Sequence, residues 1–272
     1  VVNLIRFNSW LSGFSSIDYI TQPITSGNRD LNGHVSFKRS FLTVGNLTQA
    51  PYYASAGRMV TPFGQGSSNM LSTPLPKVLG ATLTDTAVIG YDQHQFSVMG
   101  FVYNNHRNQG EIGARLTLSP TLRNTQIKAN VSFINDISAS EGMQSNGITT
   151  TNEFSGFNGN SLSKNVSGGD LAVSVTQGNW SGHAEYASAL SRFNTSDLSM
   201  NDEGALPSAL QLEADYNWQI GARPWSTGLR YDESWDTLAL NMPQNNISAT
   251  LNTSYWKNTK QSIELGLASN YG

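Results

Sequence analysis

Leu210-Gln211-Leu212-Glu213-Ala214-Asp215-Tyr216-Asn217-Trp218 is the stretch whose reading decides the fold. Taken every second residue, one side carries Leu210, Leu212, Ala214, Tyr216 and Trp218. The other carries Gln211, Glu213, Asp215 and Asn217. Successive side chains of a β-strand point to opposite faces, so this segment has one apolar and one strongly polar face. A helical period does not separate the two sets, and helical periodicity is hard to find elsewhere in the chain.

The same alternation recurs. Ile112, Ala114, Leu116 and Leu118 oppose Glu111, Gly113, Arg115 and Thr117; Ile127, Ala129, Val131 and Phe133 oppose Gln126, Lys128, Asn130 and Ser132. Trp180, Ala184 and Tyr186 oppose Ser181, His183 and Glu185, and Ile263, Leu265 and Leu267 oppose Ser262, Glu264 and Gly266. The pattern predicts about thirteen strands, near 8–20, 35–47, 52–64, 82–92, 95–104, 110–119, 125–135, 168–176, 180–192, 207–218, 225–235, 246–256 and 260–271. Strands of about ten residues match the ~9–11 that cross a bilayer at a tilt.

The connections alternate in length. Asp92–His94, Ser119–Asn124, Gln177–Asn179, Ile220–Pro224 and Lys257–Thr259 are short; Thr21–Gly33, Gly64–Ala81, Asp136–Gly168, Asn194–Ala205 and Thr237–Asn246 are long. Short turns at one end and long loops at the other is the periplasmic and extracellular asymmetry of outer-membrane barrels. Asp136–Gly168, rich in Ser, Gly, Asn and Thr, is expected to cap the barrel or to fold into it and gate the lumen. Tyr52, Tyr53, Tyr91, Trp180, Trp218, Trp225, Tyr255 and Trp256 cluster at the short-turn end, where a girdle of rings sits at the headgroup level.

Composition bounds the rest. The 272 residues are 38% hydrophobic and only 13% charged, with net charge -3. Polarity is therefore mostly uncharged, and the electrostatic footprint of a nucleic-acid binder is missing. There is no cysteine, which excludes thiolate metal sites and disulfides. No window has the ~18–20 apolar residues of a transmembrane helix, and no signal peptide is visible at Val1–Arg6. Alternation lets a barrel keep low average hydropathy, so a membrane barrel and a soluble β-sandwich are both compatible with that count.

No catalytic, metal or cofactor constellation stands out. His34, His94, His106 and His183 share no ligand spacing. Ser181 and His183 are neighbours on one strand face, but no third group orients them. The polar faces carry the candidates for a transport path: Glu111, Arg115, Lys128, His183, Glu185, Glu213, Asp215, Arg230 and Glu264. Such charges either pair across the wall or set the selectivity of an aqueous lumen. Pairing of Arg115, Lys128 and Arg230 with Glu213 and Asp215 would favour a plugged barrel; an open ring would favour transport.

The hairpin Phe41–Gln65 adds a family resemblance. Gly45-Asn46-Leu47, Pro51-Tyr52-Tyr53-Ala54-Ser55-Ala56-Gly57-Arg58-Met59 and Pro62-Phe63-Gly64 resemble the LbtU-type outer-membrane siderophore porins. The likeness continues in Ser72-Thr73-Pro74-Leu75, Ala239-Leu240-Asn241-Met242-Pro243 and Tyr255–Glu264. The resemblance implies a barrel in a Gram-negative outer membrane that admits ferric siderophore. That family's amino-terminal region has no counterpart here. No ligand-contacting residues carry over from it.

The expectation is thus an all-β, antiparallel transmembrane β-barrel over 1–272, of fourteen or sixteen strands when complete, with a closing strand absent from this chain. Its surroundings are outer-membrane lipid and lipopolysaccharide, its cargo ferric siderophore or a similar small polar solute, and it needs no cofactor. A structural or adhesive barrel, whose long loops bind a partner, is the alternative. The turn at Asn46–Pro51 is expected to be periplasmic, and Pro62-Phe63-Gly64 to mark the outer rim of its strand.

Overall fold

The computed structural model describes residues 2–20, 34–105, 109–146, 155–157, 162–254 and 259–271. Fourteen strands form one antiparallel meander in strict chain order. They are β1 Val2–Arg6, β2 Leu11–Ile20, β3 His34–Gly45, β4 Tyr52–Val60, β5 Leu83–Gln93, β6 Phe96–Asn104 and β7 Gly110–Leu118. Then follow β8 Thr125–Ile134, β9 Gly168–Gln177, β10 Trp180–Ala189, β11 Ser208–Ile220, β12 Arg223–Trp235, β13 Asn245–Thr253 and β14 Gln261–Ser269. Each pairs with its sequence neighbours, and among the described residues β1 and β14 do not pair with each other. No described helix is long and apolar enough to cross a membrane.

All thirteen expected strands are present, and the fourteenth is β1. Its five residues were too short a run to register as alternation. It pairs with β2 from Val2↔Ser16 to Arg6↔Ser12 across a turn in which the Asn8 side chain accepts the N–H groups of Trp10 and Leu11. The expected asymmetry also holds: two-residue turns such as Gly178–Asn179 and Gly221–Ala222 alternate with the long connections 61–82, 135–167 and 190–207.

The two faces are inverted relative to a water-soluble sheet. Leu229, Ile247, Ile263, Leu265, Leu267 and Ile89 are 56–79% exposed. Gln211, Glu185, Asp232, Arg230 and Asn130, one residue out of phase, are at most 1% exposed. Burying that many polar side chains while leaving a continuous apolar belt outside is unfavourable in water and favourable in lipid. Period-two alternation is what sorts them, because a one-residue slip would exchange the faces.

Rings gather at the short-turn end as expected. Tyr52 and Tyr91 lie 5.2 Å apart, Trp180 and Tyr216 4.6 Å, and Trp218 and Trp225 5.7 Å. Tyr53 departs from this set: it alternates away from Tyr52 and packs against Gly90, where a Cβ would lie 2.2 Å from its ring. Tyr255 and Trp256 lie outside the described residues.

A small apolar core sits at the long-loop end. It joins wall residues Phe101, Tyr103 and Ile134 to loop residues Phe63, Leu75, Leu79, Ile137, Met143 and Leu240. Two six-residue helices build it, α1 Leu75–Gly80 and α2 Glu141–Asn146. Pro76 stands in the first turn of α1, where its missing N–H leaves no bond unmade. Gly142 lets the two helices meet, since a Cβ there would lie 1.9 Å from the Val78 carbonyl oxygen.

Candidate functional site

The strand after the Asn46–Pro51 turn stops at Val60, short of the expected Gly64. Pro62-Phe63-Gly64 does not continue along the rim; the chain bends inward, and Phe63 is 6% exposed in the apolar core. From there to Ala81 the connection runs along the inner face of the wall and bonds to one strand after another. The Gly64 N–H donates to Ser132 on β8 at 3.0 Å, and Arg115 on β7 donates to the Gly64 carbonyl at 3.1 Å. Gln65 Nε2 donates to Ser174 on β9 at 2.8 Å, and the N–H groups of Gln65 and Gly66 donate to Glu185 on β10.

Farther on, the Ser68 hydroxyl and the Asn69 N–H donate to Glu213 on β11 at 2.6 and 2.7 Å. Leu71 and Ser72 donate to Glu264 on β14. Six strand spacings of ~4.8 Å separate β4 from β10 in a flat sheet, about 29 Å. Six residues fully extended reach at most about 22 Å, and Gly64 and Gly66 are in left-handed turn conformation with φ of +68° and +53°. The sheet must therefore curl around the loop, which places the polar face inside.

Glu185 and Glu213 meet loop donors, which explains how these buried acids are tolerated; Asp170 instead accepts from the wall residue Ser132 at 3.2 Å. Glu185 Oε1 accepts the N–H groups of Gln65 and Gly66, at 2.8 and 3.0 Å. Its Oε2 accepts from Gly66 at 2.8 Å and meets His183 Nε2 at 3.0 Å. His183 Nδ1 in turn meets the Ser174 hydroxyl at 2.8 Å. Ser174 and His183 are cross-strand partners, so the neighbour of His183 is not Ser181, which reaches toward Asp215 at 3.5 Å. The Ser174–His183–Glu185 chain has the residue types of a hydrolytic triad. Its ends are both tied to Gln65 and Gly66, however, so it works as a pin for the loop tip.

Arg230 is the second anchor. Its Nε lies 2.7 Å from Asp232 Oδ2, with both side chains fully buried, and its Nη1 donates to the Ser68 hydroxyl and the Ser72 carbonyl at 3.0 and 2.9 Å. Of the charged set named from sequence, His183 and Glu185 pair with each other, whereas Arg115, Lys128 and Arg230 do not pair with Glu213 or Asp215 among the described residues. Glu213 bonds Ser68 and Asn69, Arg115 bonds Asn130 and Gly64, and Lys128 has no hydrogen bond or ion pair among the described residues. Glu111 stands apart at the long-loop end, where Asn105, Asn135 and Asn165 donate to it.

Only part of Asp136–Gly168, expected to cap the barrel or to fold into it, falls among the described residues. Its described residues pack Ile137 and Met143 into the apolar core above α1. Among the described residues, the segment that bonds along the inner wall is 61–81. Residues missed from sequence are the donors of that segment, Gly64 to Ser72, with Lys77, Ser174 and Asp170. The run Gly64-Gln65-Gly66-Ser67-Ser68-Asn69, small and rich in donors, was the available signal. No group of three or more His, Asp or Glu placed to hold a metal occurs among the described residues.

No protein-family model matches the chain. Among solved structures, the outer membrane channel DcaP of Acinetobacter baumannii superposes with a TM-score of 0.57 at 11% identity, over 95% of this chain and 74% of that one. OmpT of Vibrio cholerae, an outer membrane protein in its trimer form, superposes at 0.55 and 14% identity, over 98% and 79%. The fold is that of an outer-membrane β-barrel.

Curated relatives match nearly all of the barrel chain. A UPF0422 protein of Legionella pneumophila subsp. pneumophila is 31% identical over 277 residues, 97% of this chain and 52% of its own length. A UPF0422 protein of Coxiella burnetii is 29% identical over 285 residues, 98% and 57%. The chain spans about half the length of the curated relatives it matches.

Proposed function

We propose that the protein is an outer-membrane channel that admits small polar solutes by selective passive diffusion, with ferric siderophore as its cargo. The observation that carries this reading is the polar inner wall crossed by an inward loop, with water-accessible space left between them. Cavities of about 380 and 330 Å³ lie along that wall. A lumen narrowed by a pinned polar segment selects by size and by the groups that line it, without energy input. Outer-membrane lipid and lipopolysaccharide surround the apolar belt, with the Asn46–Pro51 turn on the periplasmic side. The superposition on a named outer membrane channel supports the fold side of this reading.

Single-channel recording in planar bilayers tests it. Discrete conductance steps are expected, and inserted protein that conducts nothing overturns the channel. Siderophore is tested separately, by uptake of labelled ferric siderophore in cells with and without the gene. Equal uptake removes siderophore and leaves the channel standing.

One observation favours the second reading, a structural or adhesive barrel. The apolar core of α1, α2 and Leu240 fills the long-loop end, as a plug would. The same conductance measurement decides between them.

A further inference from the structure

The two lumenal cavities share Arg115 and Met99 and so lie end to end. The first reaches the short-turn end at Asp92 and His94 and includes Lys128. The second passes under the loop between Gly64 and Lys77 and includes Glu185. Lys128, Arg115 and Lys77 therefore follow one another along a single path.

These three cations differ from the acids around them. Glu185, Glu213 and Glu264 already accept loop donors, and Asp232 holds Arg230. Glu185, which lines the second cavity, is 1% exposed and has both oxygens engaged by Gln65, Gly66 and His183, and Asp170 is 4% exposed. Among the described residues, none of Lys77, Arg115 and Lys128 has a carboxylate within salt-bridge distance. Arg115 uses three of its five N–H groups on neutral oxygens, two on Asn130 Oδ1 and one on the Gly64 carbonyl. Two remain for whatever occupies the cavities it lines. The carboxylates that line the path are Asp92, at the exposed turn end, and the engaged Glu185.

We infer that this path is an anion path: Lys128, Arg115 and Lys77 hand a small solute bearing carboxylate or phosphate groups from the first cavity to the second, beneath the loop. A guanidinium with two free N–H groups fits a carboxylate or phosphate in bidentate fashion, and the two lysines act as point charges on either side. Low-dielectric walls focus such a field along a narrow path.

The inference rests on the channel reading, and reversal potentials under a KCl gradient separate the two. The wild-type protein is expected to prefer chloride over potassium. Lys128→Gln, which breaks no contact, is expected to lower that preference about twofold or more with unchanged insertion. Citrate and inorganic phosphate, added separately, are expected to block the wild-type chloride current more strongly than that of Lys128→Gln; whichever blocks at lower concentration names the preferred anion. Conductance that prefers potassium, or a preference unmoved by Lys128→Gln, overturns this inference alone. Absence of any conductance overturns the channel reading and the inference with it.

Discussion

Gly66 and Glu185 are 119 residues apart, yet the Gly66 N–H is shared between both oxygens of the Glu185 carboxylate, at 3.0 and 2.8 Å. The bond joins the tip of the inward loop to the middle of the wall. Hydrogen bonds to a charged acceptor contribute about 1.5–3 kcal/mol each, and stranded donors cost a comparable amount. Glu185→Ala is therefore expected to destabilise the barrel by about 3–5 kcal/mol in denaturant titration from detergent micelles. In single-channel records it is expected to raise conductance or add rapid gating, because the tip loses its anchor. Unchanged stability and unchanged current would show that the tip is held elsewhere.

Arg230 and Asp232 form a pair with no exposure at all. Removing one member leaves the other charge buried and alone, a cost of about 3–5 kcal/mol. Arg230→Met is expected to show that loss. Arg230→Met combined with Asp232→Asn is expected to recover part of it, since no uncompensated charge remains. Denaturant unfolding of both variants measures the difference; equal losses would mean that the Ser68 and Ser72 contacts, not the ion pair, carry the energy.

The apolar belt makes a prediction of opposite sense on the two faces. Leu229→Arg puts a charge where the side chain is 63% exposed on the outer face. Near the midplane this costs about 2–4 kcal/mol against lipid. Folding yield into phospholipid vesicles is expected to fall sharply. Thr117→Lys, on the inner face and lining the turn-end cavity, is expected to fold normally. Equal yields would contradict the assignment of faces.

Gly142→Ala tests the lid over the loop. The new Cβ meets the Val78 carbonyl at 1.9 Å, a backbone atom that cannot swing aside. Displacement of α2 from α1 is expected to expose Lys77 to trypsin while the wall strands stay resistant. Wild-type protection at Lys77 in this variant would argue against the helix contact.

The wall was legible in the sequence because alternation is a local signal: Gln211, Glu213 and Asp215 announce one face regardless of what covers it. The loop was not. Gly64–Ser72 has no period, and its wall partners lie 51 to 193 residues away, so only the folded chain brings Arg115, Ser132, Glu185 and Glu264 to it. Length singled out Asp136–Gly168 as a cap or a gate, yet length says nothing about what the shorter connection 61–81 does. What turns 61–81 inward is the burial of Phe63, Leu75 and Leu79 together with a wall of acids that need donors. Alternation alone assigns the charged candidates to the polar sides of their strands, but the engagement of Glu185, Glu213 and Glu264 with the loop has no sequence signature.

Ser67 gives the most direct test of the central claim, that 61–81 lies in an aqueous lumen. Ser67 is an exposed residue of the loop whose carbonyl accepts from Gln211 on the wall, and the chain has no native cysteine, so Ser67→Cys carries a unique thiol. Single-channel current is recorded before and after a bulky, water-soluble thiol reagent is added. A discrete drop in current as the thiol reacts is the predicted result. Complete labelling with unchanged current would contradict it.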